Sequence, residues 1–438
     1  MLAALDDDPT GSQSVHGVEL VTGLERDRYD AALRHGGGTC FVLTNTRSLD
    51  EPAAAGLTAQ VARDLLEVAA DRGRRLQLVS RSDSTLRGHV IAEIDALQSV
   101  RPGYDGVLFA PAYLEAGRVT AGDVHWARVG GEFVPVGETE FARDATFGYS
   151  SSNLTEFLAA KSGGRVGARS LSLGDIRDGG PGRVRDVLAG VSGGQWVIVN
   201  ATEYSDLETV ALGVLEAEAA GQAFLFRTGP SFVRALAGIE PSEPLTSAQI
   251  WPAGPPAGHG LIVVGSHVGQ TTRQLAALRA RGRTVDVELD VPALLAGSGA
   301  GDSVAGAVIS EVTRGLAAAD VLLYTSRTLQ AGADATASLA IARTVSAALV
   351  RIAAGALAAR PAWVISKGGI TSHDVALHGL GIRRAEVLGQ LLPGVVSVLR
   401  PVDAPAAVVG VPYVVFAGNV GDRDTLAQVV DTLRGEAS

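Results

Sequence analysis

Short apolar runs alternate with longer segments rich in Ala, Leu and Arg through most of this 438-residue chain. In the first half, the apolar runs are residues 2–5, 40–43, 76–80, 106–109, 196–199 and 223–226. Between them, residues 52–72 carry apolar side chains at helical spacing: Leu57, Val61, Leu65 and Val68. This alternation predicts an α/β fold in which helices cover both faces of a mostly parallel sheet.

A proline-rich stretch without periodicity, residues 238–260, interrupts the alternation. After it, we predict strands at residues 261–264, 284–287, 320–324, 362–365 and 413–416, and helices at residues 303–317, 334–358 and 422–434. A chain of this length usually forms more than one domain. We therefore predict an N-terminal domain over residues 1–240, a linker over 241–260 and a C-terminal domain over 261–438.

Composition and charge disfavour several classes of protein. Hydrophobic residues make up 46% and charged residues 19%, as in globular proteins. The net charge of −10, without a basic patch, disfavours nucleic acid as a partner. Cys40 is the single cysteine, so no disulfide can form within the chain, which fits a reducing compartment. The sequence shows neither a secretory signal nor an uninterrupted run of about 18 apolar residues, and we expect a cytoplasmic protein without a membrane span.

Three carboxylates, Asp6, Asp7 and Asp8, follow the first predicted strand and are followed by Pro-Thr-Gly-Ser. In open α/β sheets, ligands bind at the carboxyl ends of the strands. Adjacent carboxylates repel one another, so the cluster costs stability unless a cation or a bound hydroxyl compensates. We read one Asp as the general base for a substrate hydroxyl and another as a substrate or Mg²⁺ contact. The alternative is an acidic turn that caps the next helix.

Two further polar segments follow the next two predicted strands. Arg47 lies in the first, and Arg81, Ser82, Asp83 and Ser84 begin the second. A guanidinium group can bind a carboxylate through two hydrogen bonds, and Asp and Ser can bind hydroxyls. Either segment alone could be a solvated loop. Because three strands would bring all the polar groups to one sheet edge, we predict a site for a small, hydroxyl-rich anion.

Glycine-rich turns follow three predicted strands of the second half, at residues 265–272, 366–372 and 417–422. Glycines let backbone N–H groups approach phosphate oxygens, and three such turns favour a nucleotide site, although ordinary α/β turns are also rich in glycine. The P-loop pattern and the Gly-x-Gly-x-x-Gly pattern after the first strand are both absent from the sequence. The histidines show no short metal-ligand spacing, and no metal centre is expected.

In this order, these segments resemble the four-carbon acid sugar kinase family. Residues 6–11 resemble its Ala-Asp-Asp-x-Thr-Gly segment, and residues 44–48 resemble its Thr-x-Ser/Thr-Arg-Ser segment. Residues 81–88, which read Arg-Ser-Asp-Ser-Thr-Leu-Arg-Gly, are similar to its Lys-x-Asp-Ser-Thr-x-Arg-Gly segment. The three C-terminal glycine turns are similar to its nucleotide-binding segments. The resemblance extends over nearly the whole chain.

Four positions depart from the family's usual pattern. Asp6 stands for Ala, Pro9 for an apolar residue, Arg81 for Lys and Ile370 for a frequent Glu. Arg and Lys bind a carboxylate with different geometry. The change at Arg81 therefore leaves the identity of the acid open.

The resemblance implies two domains, each a mostly parallel sheet flanked by helices, with an active-site cleft between them. It implies a kinase that uses ATP and Mg²⁺ to phosphorylate the terminal hydroxyl of threonate, erythronate or a 3-oxo-tetronate. Asp8, or its neighbour Asp7, would accept the hydroxyl proton. The implied substrate contacts are Asp8, Arg47, Arg81, Ser82, Asp83 and Ser84, and the implied nucleotide contacts are Ser266, Gly368, Gly369, Ile370, Thr371, Gly418 and Asn419. The expected partners are the acid and ATP, together with a second copy of the chain in a homo-oligomer.

Two other functions fit parts of the pattern. One is an NAD-dependent oxidoreductase of small hydroxy acids, which the missing dinucleotide pattern disfavours. The other is a non-catalytic sensor of sugar acids on the same fold. A sensor is expected to lose the acidic cluster or the glycine turns, and this sequence keeps both.

Overall fold

The structure is a computed structural model that describes residues 1–8, 11–34, 38–297, 299–328, 330, 332, 335–392, 394, 396–418 and 420–436. The chain divides into two units, Met1–Pro241 and Ser242–Ser438. The predicted linker, residues 241–260, contains a short helix, α9 (Ser247–Ile250), within the second unit. Thr246 and Gln249 form a capping box at the start of this helix, which is why a proline-rich segment still contains a helical turn.

The first unit contains a parallel sheet of eight described strands. They are β1 (Leu2–Asp6), β2 (Val18–Val21), β3 (Thr39–Leu43), β4 (Gln77–Arg81), β5 (Gly106–Ala110), β9 (Ala168–Leu171), β10 (Gln195–Val199) and β11 (Phe224–Thr228). Their order in space is β2-β3-β1-β4-β11-β5-β10-β9. Six of them match the predicted strands to within two residues at either end, because each contains consecutive apolar residues that the sheet buries.

Helices cover this sheet. They are α1 (Arg26–Ala32), α2 (Glu51–Asp71), α3 (Val90–Val100), α4 (Leu154–Lys161), α5 (Leu173–Arg177), α6 (Gly180–Ala189), α7 (Tyr204–Ala219) and α8 (Pro230–Leu236). As predicted, α2 buries Val61, Leu65 and Val68. Its first turn is fixed by Asp50, whose side chain accepts a hydrogen bond of 2.9 Å from the Ala53 N–H.

A small antiparallel sheet, which the apolar runs did not predict, completes the first unit. Its strands are β6 (Arg118–Ala121), β7 (Val124–Val129) and β8 (Glu132–Pro135). The residues of β8 and the end of β7 are exposed or half-buried. Strands that are not enclosed on both faces lack the continuous hydrophobic run on which the prediction depended.

The second unit has a mixed sheet. Its strands are β12 (Leu261–Val264), β13 (Thr284–Leu289), β14 (Asp320–Thr325), β15 (Val364–Lys367), β16 (Arg384–Leu392), β17 (Val396–Asp403) and β18 (Tyr413–Phe416), in the order β13-β14-β12-β15-β18-β17-β16. The first five strands in this spatial order, β13 to β18, are parallel to one another, and β17 runs antiparallel to its neighbours β18 and β16. β15 begins and ends two residues later than predicted, and β16 and β17 were not predicted from the sequence.

The remaining helices are α10 (Gly269–Ala280), α11 (Val291–Leu294), α12 (Ala300–Leu316), α13 (Ala335–Ala356), α14 (Gly369–Asp374) and α15 (Thr425–Arg434). One segment of the described residues, Ala340–Ala359, is long and apolar enough to cross a membrane by length and composition, and 33% of it is buried. It contains Arg343 and Arg351, and the core helices of soluble proteins meet the same criterion. The cytoplasmic location of the chain stays a prediction.

Candidate functional site

The acidic cluster and both arginine segments lie at one edge of the first unit's sheet. β1 lies between β3 and β4, and Asp6 is paired in register with Leu43 and with Arg81. The residues that follow these three strands therefore leave the sheet side by side. This arrangement is the one that the sequence predicts for the anion site.

Arg81 and Asp6 form a buried ion pair at this edge. The guanidinium Nη2 of Arg81 donates to Asp6 Oδ1 and also to the backbone carbonyl of Asp8, at 2.8 Å. Its Nη1 donates to the carbonyl of Ser82 at 3.1 Å. Burial lowers the pKa of Arg81 to about 10, against the opposing effect of Asp83. Arg81 thus ties the ends of β1 and β4 together, and its predicted contact with a substrate carboxylate stays a prediction.

Asp7 differs from its neighbours because its carboxylate is buried without a hydrogen bond. Only 1% of the residue is exposed, and among the residues that the structure describes neither Oδ1 nor Oδ2 has a hydrogen-bond partner. The nearest guanidinium nitrogens are Arg81 Nη2 at 3.9 Å and Arg227 Nη2 at 4.0 Å. Burial raises the pKa of Asp7 to about 7, although the positive charges of Arg47 and Arg227 lower it. A carboxylate with this pKa can take up a proton near neutral pH.

Asp8 is instead engaged with Arg47, whose Nη2 donates to Asp8 Oδ2. Arg47 Nη1 also lies 3.5 Å from Asp83 Oδ2. Burial lowers the pKa of Arg47, but the carboxylates of Asp8, Asp7 and Asp83 outweigh this effect and raise the pKa overall. The Arg47 side chain is 20% exposed, so this residue remains accessible to a ligand.

Asp83 is held as an anion by its own segment. Arg87 Nε donates to Asp83 Oδ2 at 2.6 Å, and the Thr85 N–H donates to Asp83 Oδ1 at 3.2 Å. Burial raises the pKa of Asp83, but Arg47, Arg87 and the hydrogen bonds outweigh burial and lower it below its ordinary value. Such a carboxylate accepts hydrogen bonds from hydroxyls but does not take up protons near neutral pH.

The two predicted serines of this segment both have hydrogen-bond partners within the fold. Ser82 Oγ donates to the carbonyl of Thr228 at 3.2 Å, which fixes the segment against β11. Ser84 Oγ accepts a hydrogen bond of 3.2 Å from Arg118 Nη1. Arg118 therefore joins the site from β6, a strand that the sequence analysis did not predict.

Arg227 and Glu93 belong to the same site, and the sequence analysis missed both. Arg227 lies on β11 and is fully buried; its Nη1 donates to Glu93 Oε2 and to Ser80 Oγ, the latter at 2.6 Å. Among the described residues, its Nε and Nη2 have no hydrogen-bond partner. Thr46 Oγ1 donates to Glu93 Oε1 at 2.6 Å, so Glu93 also connects the segment after β3 to this network.

Gly88 completes the surroundings of Asp7. Its φ of +112° is strained for any residue with a side chain. A Cβ there would lie 3.0 Å from Asp7 Oδ2 and 3.2 Å from Arg227 Nη2. Only glycine therefore lets this segment lie against the Asp7 carboxylate.

A second candidate site lies in the second unit, where the glycine turns line a cavity of about 350 Å³. Its lining is Gly265, Ser266, Val268, Gly368, Gly369, Thr371 and Gly418. Five of the seven predicted nucleotide contacts are in this set. Ile370 lies in α14, where only its backbone is described, and Asn419 is outside the described residues. This lining offers backbone amides and hydroxyls without a carboxylate, which suits an anionic ligand.

Hydrogen bonds hold two of the three turns, residues 265–272 and 417–422, together. Thr271 Oγ1 donates to the carbonyl of Gly418 at 2.8 Å, and Gln274 Nε2 donates to the carbonyl of Val420 at 3.0 Å. Arg327 Nη1 donates to the carbonyl of Ser266 at 2.8 Å. The cavity walls are therefore fixed by contacts from α10 and from the segment after β14.

Lys367, the last residue of β15, is a buried cation next to this cavity that sequence analysis passed over. Its Nζ donates to the carbonyl of Ala417 at 3.0 Å and lies 3.6 Å from the centroid of the Phe416 ring. Burial lowers the pKa of Lys367 to about 7. In the sequence, its position directly before the Gly368-Gly369 pair was the signal that could have identified Lys367.

Family models match almost the whole chain. The sugar-binding N-terminal domain matches residues 2–236, and the nucleotide-binding C-terminal domain matches residues 261–426. The chain belongs to the four-carbon acid sugar kinase family. The resemblance drawn from the motifs is confirmed, and so is the α/β fold class of two domains with mostly parallel strands flanked by helices.

One relative and two solved structures are similar to this chain to different degrees. A D-erythronate kinase of Heliobacterium modesticaldum is 28% identical over 262 residues, which cover 58% of this chain and 53% of that protein. The match therefore spans about half the length of that relative. A Salmonella typhimurium LT2 structure described as a tRNA synthase is 18% identical with a TM-score of 0.71 and covers 98% of both chains. A Haemophilus influenzae protein is 18% identical with a TM-score of 0.64, over 98% of this chain and 100% of that one. At this identity the two structures show the fold alone.

Proposed function

We propose that this chain is an ATP-dependent kinase that phosphorylates the terminal hydroxyl of a four-carbon sugar acid of the threonate, erythronate or 3-oxo-tetronate type. The observation that carries the proposal is the Asp7 carboxylate, which is buried without a hydrogen bond at an edge rich in arginine. The family and the erythronate kinase relative support the same class of reaction.

Asp7 is the proton acceptor in this mechanism. The substrate hydroxyl attacks the γ-phosphorus of ATP, its proton passes to a carboxylate oxygen of Asp7, and ADP leaves. A base is most effective when its pKa is close to the working pH, and that of Asp7 is about 7. Asp8, the first choice from the sequence, is paired with Arg47, so we assign it the role of orienting that guanidinium.

The arginines and Asp83 recognise the acid. Arg47 is the partly exposed cation of the edge, so we assign it the substrate carboxylate, which it can bind with two parallel hydrogen bonds. Asp83 stays ionised and accepts hydrogen bonds from substrate hydroxyls. The distance of 4.0 Å between Asp7 Oδ2 and Arg227 Nη2 is too long for a direct hydrogen bond. One oxygen atom that lies between them can hydrogen-bond to both.

The glycine turns bind the phosphates of ATP. Phosphoryl transfer depends mainly on in-line positioning and on neutralisation of phosphate charge. Backbone groups at Gly368, Gly369 and Gly418 and the hydroxyls of Ser266 and Thr371 supply hydrogen bonds from the protein. Bound Mg²⁺ would neutralise phosphate charge, and since the described residues that line this cavity include no carboxylate, it would be held chiefly by the phosphates and water. A cleft that brings both substrates together stays a prediction.

A panel of four-carbon acids tests the function. Purified chain is incubated with ATP, Mg²⁺ and each of D- and L-threonate, D- and L-erythronate and the 3-oxo acids, and ADP release is measured. We expect one acid to stimulate ADP release well above the rate with ATP alone. Thermal shifts with NAD in place of ATP serve as the comparison. Stabilisation by NAD alone would favour an oxidoreductase, and binding of acid and ATP without ADP release would favour a sensor.

Replacing Gly418 with alanine tests the nucleotide site. The new Cβ would lie 2.5 Å from Ser266 Oγ, so Ser266 must move, and the methyl group fills part of the cavity. We expect the KM for ATP to rise by roughly tenfold, equivalent to about 1.4 kcal/mol, with the KM for the acid unchanged. Gly306→Ala is the matched control, because Gly306 is exposed on α12 and a Cβ there meets no atom within 4 Å. Equal KM values for ATP in both variants would place the nucleotide elsewhere.

A further inference from the structure

Two imidazoles and a carboxylate converge where α14 ends and a π-helical turn begins, on residues to which the proposed kinase reaction gives no role. The ligand atoms of His373, Asp374 and His378 all lie within 4.8 Å of one another. The two imidazole rings are 6.3 Å apart between centroids and perpendicular to one another. The sequence predicts no metal centre, because its histidines show no short metal-ligand spacing. Histidines five residues apart, such as these two, do not share a face of a regular α-helix.

A π-helical turn explains why these side chains nevertheless meet. The segment Val375–Gly379 is π-helical, and the Leu380 N–H donates to the carbonyl of Val375 at 2.8 Å, five residues earlier. In a π-helix each N–H donates to the carbonyl five residues earlier, instead of four as in an α-helix. This wider turn brings residues five apart towards the same face. Such turns occur often at functional sites.

The carboxylate and its helix are held in place by neighbouring elements. Ser346 on α13 donates a hydrogen bond from its Oγ to Asp374 Oδ2. Ser372 Oγ donates to the carbonyl of Ser366 at 2.8 Å, and Tyr413 Oη donates to the carbonyl of Ser372 at 2.6 Å. An orienting hydrogen bond to a ligating carboxylate is a regular feature of protein metal sites.

We propose that His373, Asp374 and His378 bind a divalent transition-metal ion such as Zn²⁺. In tetrahedral coordination, ligand atoms about 2.1 Å from the metal are about 3.4 Å apart, so side-chain rotations that shorten the present separations suffice. Two imidazoles and one carboxylate favour Zn²⁺, Co²⁺ or Ni²⁺ over Mg²⁺, which prefers oxygen ligands in an octahedron. Asp374 is half-buried and His378 exposed, so the ion can enter from solvent and keep a water ligand. None of the three residues is among the described residues that line the glycine-turn cavity.

Metal titration of the full chain, without an affinity tag and freed of metal with a chelator, tests this site. We expect one Zn²⁺ to bind per chain, with no competition from Mg²⁺ in thousandfold excess. His378→Asn removes an exposed ligand without disturbing the core and is expected to weaken Zn²⁺ binding at least tenfold. Ser346→Ala removes the orienting hydrogen bond and is expected to weaken it by about tenfold.

His16→Asn is the matched control. His16 lies in the first unit, where its Nε2 is 3.0 Å from the carbonyl of Glu240, and the variant should bind Zn²⁺ like the unmodified chain. The visible absorption of bound Co²⁺ should report nitrogen and oxygen ligands in the unmodified chain and change in His378→Asn. The proposal is overturned if Zn²⁺ does not bind with one-to-one stoichiometry, or if His378→Asn and Ser346→Ala bind Zn²⁺ as tightly as the control.

Discussion

We expect Asp7→Asn to lower kcat by about 10²- to 10⁴-fold, with a much smaller change in the KM for the acid. The amide has nearly the shape of the carboxylate but cannot accept the hydroxyl proton. Steady-state kinetics at saturating ATP measure both constants. Asp8→Asn is the companion variant, and since it releases Arg47 from its ion pair, we expect it to raise the KM for the acid while kcat changes little.

Stability measurements separate this loss of activity from unfolding. The pKa of Asp7 is about 7 in the folded chain, against 3.8 as its ordinary value. At pH values between these two pKa values, the folded state binds more protons than the unfolded state. Asp7 therefore lowers the free energy of unfolding progressively as the pH rises, and this destabilisation is complete above the pKa of the folded chain. Asn does not titrate. Urea unfolding should therefore show the variant to be at least as stable as the unmodified chain at pH 8, with the difference shrinking towards pH 4.

The two measurements together decide the role of Asp7. Full turnover in Asp7→Asn would remove it as the base and return Asp8 to consideration. Loss of turnover together with strong destabilisation at pH 8 would contradict the argument that the carboxylate is unfavourable where it lies. A bell-shaped or sigmoidal dependence of kcat/KM on pH, with its acidic limb close to pH 7, would support the assignment.

The sequence predicted the fold best where burial is complete. Strands such as β12 and β18 are enclosed on both faces, so each is a continuous apolar run, and their predicted bounds are those of the structure. β16 is different, because its residues alternate between buried and half-buried. That alternation, with Ala385, Val387 and Leu391 buried, was visible in the sequence, but a search for continuous apolar runs passes over it.

The candidate site was predictable where its residues follow strands in recognisable segments. Asp7, Arg47 and Asp83 all lie within four residues of the ends of strands that are neighbours in the sheet. The distinction between Asp7 and Asp8 was not predictable, because it depends on which carboxylate meets Arg47 in three dimensions. Arg227 ends an apolar run and resembles an ordinary surface residue at the end of a strand; only its contact with Glu93, on a distant helix, explains its burial.

Arg227→Met is the variant for which we expect the largest loss of stability, about 3–5 kcal/mol in the free energy of unfolding. The Arg227 side chain is fully buried, with 0% of the residue exposed to solvent. Its positive charge neutralises the Glu93 carboxylate. Without it, the donors to the Glu93 carboxylate that remain among the described residues are the hydroxyls of Ser80, at 2.8 Å, and Thr46, at 2.6 Å. Arg26→Met is the control, because Arg26 forms ion pairs with exposed Glu67 and Asp71, which contribute less than about 1 kcal/mol.

A second substitution distinguishes a structural from a catalytic role for Arg227. In the double variant Arg227→Met/Glu93→Gln no charge is left uncompensated between the two positions. Ser80 and Thr46 contact different oxygens of Glu93, so the amide oxygen of Gln can accept from one hydroxyl while its NH2 group donates to the other. Denaturant unfolding should therefore show that most of the stability returns. Activity should stay low, because the Arg227 guanidinium also lies 4.0 Å from Asp7 Oδ2 and its loss changes the surroundings of the base. Recovery of both properties would make Arg227 a structural residue alone, and recovery of neither would show that Glu93 is not its principal partner.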